Sequence, residues 1–187
     1  MYRFAVVVID MICDFLRPWG KAYSKEYEKT IEPIKKILRE AEKFHIPIIY
    51  LKHTYPLTEL ATDWTLKKLK RCCVEKDKGS EIIEEIKPTK NAIIIEKKRY
   101  SGFLGTRLDI VLREMNINTL IIVGIKTNVC IRATVEDAFS LGYRVIIPQE
   151  AVATNDATAQ KVHLEDISKY MGDVYPLETV LREMKNA

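Results

Sequence analysis

Leu120 to Asp137 reads LIIVGIKTNVCIRATVED, and this stretch decides the fold. The apolar run Leu120-Ile121-Ile122-Val123 stops at Gly124. A short turn, Ile125-Lys126-Thr127, follows, and a helical pattern then begins with Cys130 in its first turn. Strand, turn and helix in that order put a thiol just above the carboxyl end of a buried strand, the edge where open α/β sheets bind ligands. At a helix N-terminus the unpaired N–H groups and the positive dipole end favour thiolate, and the same N–H groups can hold an oxyanion. The ordinary fate of a free cysteine is to pack inertly in a core. A base and a cation elsewhere in the chain separate the two cases.

The flanking sequence repeats the strand–helix alternation. Phe4 to Ile9 is a continuous apolar run, the pattern of a parallel strand buried on both faces, and Asp10 follows directly. Asp10 there either caps a turn or serves as a base. Tyr27 to Phe44 carries helical periodicity, and Ile46 to Leu51 is a second strand with Lys52-His53-Thr54-Tyr55 just past its end. Pro56 to Lys90 is a long irregular excursion, with helical patches at Trp64 to Lys70 and Ser80 to Ile86, expected to wall the site. Asn91 to Ile95 is a third strand, followed by Glu96 to Phe103. Thr106 opens a helix that Asn116 stops. Thr119 to Val123 is a fourth strand, Val129 to Leu141 a helix ending at Gly142, and Tyr143 to Pro148 a fifth strand. Asp156 to Met171 is a helix, Val174-Tyr175 a short sixth strand, and Leu177 to Met184 the last helix. The pattern predicts one α/β domain over residues 1–187: three α/β/α layers around a mainly parallel, doubly wound sheet of five to six strands.

Composition excludes several classes of function. Charged residues make up 30% and hydrophobic residues 47% of 187, with a net charge of +4 spread along the chain, so neither nucleic-acid binding nor disorder is expected. No run approaches the ~20 apolar residues of a membrane span, and a cytoplasmic location is expected. Cys13, Cys72, Cys73 and Cys130 form no C-x-x-C pair and are expected as reduced thiols. The adjacency of Cys72 and Cys73 suits neither an ordinary disulfide nor a tetrahedral metal clamp. No Gly-rich phosphate loop is present. Abundant Lys, Glu and Ile, with glutamine only at Gln149 and Gln160, point to a thermophile.

Three strand ends then supply complementary groups: Asp10 a base, Lys97 a cation and Cys130 a nucleophile. On a parallel sheet these ends share one edge. His45, His53 and His163 lie elsewhere, which argues against a Cys-His arrangement, and no G-x-S-x-G elbow surrounds Ser101.

These residues carry a resemblance. The stretches VVVIDMICDF, EKKRYSGFLGT and VGIKTNVCIRATVEDAFSLGYRVIIPQEAVAT resemble those of the isochorismatase-like cysteine hydrolases, the superfamily of nicotinamidase, N-carbamoylsarcosine amidohydrolase and ureidoacrylate amidohydrolase. The resemblance implies a catalytic triad of Asp10, Lys97 and Cys130. The family lysine stands four positions before the motif serine, so Ser101 selects Lys97 over Lys98. It further implies a cis Ile125–Lys126 peptide, an oxyanion hole from the N–H groups of Lys126 and Cys130, and a thioester intermediate in hydrolysis of a small-molecule amide. Phe15, Trp19, His53, Arg99, Tyr100, Phe103 and Arg132 are the substrate-binding candidates. Pro18-Trp19 either walls the ligand or covers the core, and Arg99 and Arg132 either meet a substrate carboxylate or form surface ion pairs. A homodimer or homotetramer is implied.

The chain also departs from the family. Nicotinamidases carry an Asp-x-His metal motif after the second strand and a further His. Here Leu51 stands at the Asp position before His53, and Cys72 at the further His position. No cofactor is expected, and zinc or another divalent metal is not expected. This favours a metal-free amidase acting on N-carbamoyl or ureido compounds. A nicotinamidase with an atypical metal site, or a non-catalytic small-molecule-binding protein on the same fold, are the alternatives.

Overall fold

A computed structural model of the chain describes residues 3–56 and 72–185. Its centre is a seven-stranded sheet of β1 (Phe4–Ile9), β2 (Ile48–His53), β3 (Ile93–Lys97), β4 (Thr119–Ile125), β5 (Arg144–Pro148), β6 (Val152–Ala153) and β7 (Asp173–Tyr175). The order is β3-β2-β1-β4-β5-β7, with β6 beside β4. All the pairings are parallel. The chain winds one way from β1 to β3 and the other way from β4 to β7. The strand order therefore reverses between β1 and β4, and a crevice opens at their carboxyl ends.

Strand alternation sorts the core into two layers. Val6, Val8, Ile121 and Val123 face the helices Ile31–Lys43 and Leu177–Lys185, which bury Ile34, Ile37, Val180 and Met184. Ala5, Val7, Ile9, Leu120 and Ile122 face Leu108–Glu114, Arg132–Ser140 and Ala157–Tyr170, which bury Leu112, Val135 and Ile167. Period 2 in the strands meets period 3.6 in the helices on both faces, as the doubly wound reading requires. At the reversal point Gly124 pairs with Ile9. Its φ is +116°, and a Cβ there would stand 2.1 Å from the Ile9 carbonyl oxygen. Only glycine fits so close an approach.

Element boundaries differ from the sequence expectation in instructive ways. β2 and β3 sit two residues further along than Ile46–Leu51 and Asn91–Ile95, so His53 and Lys97 are the last residues of their strands and pair with each other. Pro47 has no N–H to give a ladder; its carbonyl accepts from Val6 N–H at 2.9 Å and leads the chain into β2. The helical pattern over Tyr27 to Phe44 is broken into a turn at Lys25–Glu28 and a helix at Ile31–Lys43, with the Thr30 hydroxyl closing on the Tyr27 carbonyl at 2.8 Å. Pro33 explains the late start, because proline is tolerated in a helix only in its first turn.

Thr106 stands before its helix, where its hydroxyl oxygen accepts from Leu108 N–H at 3.1 Å. Val129 to Leu141 becomes a wide π turn at Thr127–Ile131 and then the helix Arg132–Ser140. Ser80 to Ile86 holds two short 3₁₀ turns, Lys78–Ser80 and Glu84–Ile86. The patch at Trp64 to Lys70 lies outside the described residues. β6 has only two residues and leaves no pattern to read. Among the described residues, no helix is long and apolar enough to cross a membrane.

Candidate active site

Backbone irregularities deliver Asp10 and Cys130, and an ordinary strand end delivers Lys97. β1 ends at Ile9, and Asp10 follows with a left-handed φ of 54°, a region that Asp enters more readily than most residues. Its N–H donates to the Leu51 carbonyl at 2.9 Å, and its carbonyl accepts from Ile12 N–H at 2.9 Å. Lys97 ends β3. The π turn after β4 carries Cys130, with the Lys126 carbonyl accepting from both Val129 and Ile131 N–H at 3.1 Å. The Ile125–Lys126 peptide that precedes this turn is cis. Thr134 ties two of these pieces together: its hydroxyl donates to the Cys130 carbonyl at 2.7 Å and accepts from Gly102 N–H at 3.0 Å. Ser101 donates to Asp137 at 2.5 Å and accepts from Phe103 N–H at 3.1 Å, so it holds the loop after β3 in place.

The Lys97 ammonium is the hub. Its Nζ lies 2.8 Å from Asp10 Oδ2, 3.2 Å from His53 Nδ1, 3.2 Å from the Arg99 carbonyl and 3.5 Å from Cys130 Sγ. Asp10 Oδ1 accepts from His53 N–H at 2.9 Å. Asp10, His53 and Lys97 are each 1% exposed and Cys130 is 6% exposed. Burial opposes the charge on Lys97, but the Asp10 carboxylate and the Cys130 sulfur overcome it and raise its pKa. His53, a substrate-binding candidate from the sequence, lines the cavity described below and also touches the lysine. Tyr55 donates to the Lys98 carbonyl at 2.8 Å, so its oxygen accepts from His53 Nε2 at 2.8 Å. His53 is thereby the neutral Nε2–H tautomer, with Nδ1 accepting from Lys97. Burial, then the Lys97 charge, push its pKa down to about 4.

Cys130 does not rest as the thiolate that a helix N-terminus and a cation suggest. Burial raises its pKa first, the Asp10 charge adds to that, and Lys97 offsets only part. The thiol therefore keeps its proton until something takes it, and Asp10 is the adjacent acceptor.

A cavity of about 310 Å³ opens over these groups, lined by Asp10, His53 and Cys130 together with Phe15, Lys21, Tyr27, Cys72, Tyr100, Lys126 and Asn155. Of the substrate-binding candidates, Phe15, His53 and Tyr100 line it and four do not. Trp19 is 55% exposed, with Lys78 over its ring at 5.4 Å. Phe103 stacks on Tyr143 at 5.8 Å. Arg132 turns to Asp166 at 2.6 Å, because the π turn carries it past the crevice. Arg99 gives its carbonyl to Lys97, its Nη1 donates to the Lys98 carbonyl at 3.0 Å, and the residue lines a separate surface cavity with Thr54 and Glu75. Lys126 lies within a motif stretch and Asn155 directly after its end, whereas Lys21 and Tyr27 reach the cavity from a segment that no motif marks.

The isochorismatase domain model matches residues 4–179. The chain belongs to the isochorismatase family. It is 30% identical over 187 residues to the N-carbamoylsarcosine amidase of Arthrobacter sp., covering 96% of this chain and 70% of that protein. The crystal structure of a cysteine hydrolase from Pseudomonas syringae pv. phaseolicola 1448A superposes with a TM-score of 0.91 at 30% identity, over 98% of this chain and 93% of that one. N-carbamoylsarcosine amidase from Thermoplasma acidophilum superposes with a TM-score of 0.84 at 31% identity, over 95% of this chain and 97% of that one. As an isochorismatase-family member the chain is a hydrolase with the doubly wound fold expected above.

The metal motif of the family's nicotinamidases does not fit the residues here. Leu51 packs in the core at 2% exposure, and both ring nitrogens of His53 are engaged, by Lys97 and by Tyr55. Asp10, His53 and Cys130 bring ligand-capable atoms within 4.8 Å of one another. The Lys97 ammonium bonds all three and fills the position a shared ion would need.

Proposed function

We propose that this chain is a cysteine amidohydrolase that cleaves a C–N amide or ureide bond of a small molecule through a thioester on Cys130, without a metal. The observation that carries it is the buried Asp10–Lys97–Cys130 cluster, whose Asp10 and Cys130 line the cavity. Asp10 takes the thiol proton as Sγ attacks the carbonyl carbon. The oxyanion meets the N–H groups of Lys126 and Cys130. The C–N bond breaks as Asp10 returns the proton to the leaving nitrogen. Water then attacks the thioester, giving its proton to Asp10. The C–S bond breaks, and Asp10 restores the thiol. Lys97 stays protonated throughout and holds the carboxylate in line.

The substrate is proposed to carry an anion, as N-carbamoyl and ureido acids do. Lys21 and Lys126 both line the cavity. Lys21 pairs with Asp77 at 2.9 Å, whereas Lys126 rests over the Tyr27 ring at 5.9 Å. Similarity to two proteins named N-carbamoylsarcosine amidase supports the same substrate class.

Ammonia release from N-carbamoyl amino acids, ureidoacrylate, nicotinamide and the neutral amides of the acids tests this, with and without chelator, beside Cys130→Ala. Chelator-resistant turnover of the acids that Cys130→Ala abolishes is the expected result. Nicotinamide turnover that chelator abolishes would overturn the metal-free mechanism. Equal kcat/KM for acids and their neutral amides would overturn the anionic substrate alone.

A further inference from the structure

Two thiols and a carboxylate that the hydrolysis does not use stand in and behind the cavity wall. Asp14, Cys72 and Cys73 are buried, at 1%, 0% and 0% exposure, and one ligand-capable atom of each lies within 4.8 Å of the others. Adjacent cysteines in extended backbone point to opposite faces, which is why their adjacency in sequence argues against a shared ion. Here Cys73 has a φ of 62°, and the two Sγ atoms lie 3.3 Å apart. The turn is pinned to the end of β2: Tyr55 N–H donates to the Cys73 carbonyl at 2.9 Å, and Glu75 N–H to the Tyr55 carbonyl at 2.8 Å.

Asp14 is held just as firmly. Oδ2 accepts from Cys73 N–H at 2.6 Å and Oδ1 from Lys21 N–H at 3.2 Å. Gly79 packs against it so closely that a Cβ there would stand 2.4 Å from Oδ1. Among the described residues no ammonium or guanidinium pairs with this carboxylate, and the Lys21 ammonium goes to Asp77 instead.

We propose that Asp14, Cys72 and Cys73 bind one thiophilic divalent cation of the zinc class, with its fourth position facing the cavity that Cys72 lines. Zinc takes thiolate and carboxylate ligands tetrahedrally with Zn–S near ~2.3 Å, which sets the sulfurs about 3.8 Å apart, a small opening of the present pair. Each thiol loses its proton as the ion enters, so two protons leave for one dication and nothing is oxidised or reduced. The net charge of the buried cluster is the same before and after, so burial does not penalise the exchange. Backbone N–H groups already orient the carboxylate, as the outer shell of a metal site does. This site is distinct from Asp10, His53 and Cys130, and it does not depend on the catalytic assignment.

Cobalt titration of metal-stripped Cys130→Ala protein tests it, because cobalt reports thiolate ligation by a near-ultraviolet charge-transfer band. One equivalent is expected to raise the band, Zn²⁺ to displace it, and Cys72→Ser and Cys73→Ser each to weaken or remove it. No band, or a band of unchanged strength in both serine variants, overturns the proposal. Should a serine variant fail to fold by circular dichroism, proton release from Cys130→Ala on Zn²⁺ binding decides: about two protons per ion are expected, and none overturns the site.

Discussion

His53 makes the protein's stability depend on pH in a window that can be worked out in advance. The ring is 1% exposed, with the Lys97 ammonium 3.2 Å from Nδ1 and the Tyr55 hydroxyl 2.8 Å from Nε2. Protonating Nδ1 would turn an acceptor into a donor aimed at an ammonium. The folded pKa is accordingly pushed down to about 4, from 6.5 for an ordinary histidine. Below pH 6.5 the unfolded chain takes up a proton that the folded chain refuses. The stability His53 contributes is therefore fully present above 6.5 and is lost as pH falls from 6.5 towards 4. The full loss is about 3 kcal/mol, and about 2 kcal/mol is gone by pH 5. Urea unfolding followed by far-ultraviolet circular dichroism at pH 7.5 and pH 5.0 measures it. His53→Asn keeps an acceptor towards Lys97 and cannot titrate, so the wild type should lose about 2 kcal/mol more than the variant between the two pH values. Parallel losses in the two proteins would refute the neutral, buried imidazole and the tautomer assigned to it.

Two further outcomes follow from the same geometry. Lys97→Met leaves the Asp10 carboxylate buried without the cation that sits 2.8 Å from it, and should cost about 3–5 kcal/mol in urea unfolding; a loss below ~1 kcal/mol would mean that the pair is not buried as described. Gly124→Ala places a methyl 2.1 Å from the Ile9 carbonyl at a φ of +116°. It should destabilise by on the order of 3 kcal/mol and lower turnover by displacing Asp10, the residue after Ile9. A variant with wild-type melting temperature and activity would show that β1 and β4 do not converge there.

Much of this molecule is legible in one dimension. The apolar runs at Phe4–Ile9 and Leu120–Val123, each closed by a polar or glycine break, are strands buried on both faces. Alternation with helical periods then leaves a parallel, doubly wound sheet as the consistent architecture. Asp10, Lys97 and Cys130 could be named as candidates because each stands at or just after a strand end, parallel strands bring their carboxyl ends to one edge, and the family resemblance selects Lys97 over Lys98. What the sequence could not carry is direction and distance across that edge. His53 lines the cavity as its place after an apolar run suggests, but only the structure shows that β2 runs two residues further and pairs His53 with Lys97. Arg132 lies two residues after Cys130 and yet turns away to Asp166, because a π turn rotates everything after it.

Local pattern determined which segments became strands and helices, and which residue types ended at the crevice, since both depend on near neighbours in the chain. Only the tertiary structure decided the charge states. Cys130 stays protonated, and His53 neutral, because burial and the Asp10–Lys97 pair act through space at a few ångströms. The same holds for Asp14 beside Cys72 and Cys73, brought together over 59 positions by the Asp14 to Cys73 bond and by a left-handed turn that no spacing in the sequence records.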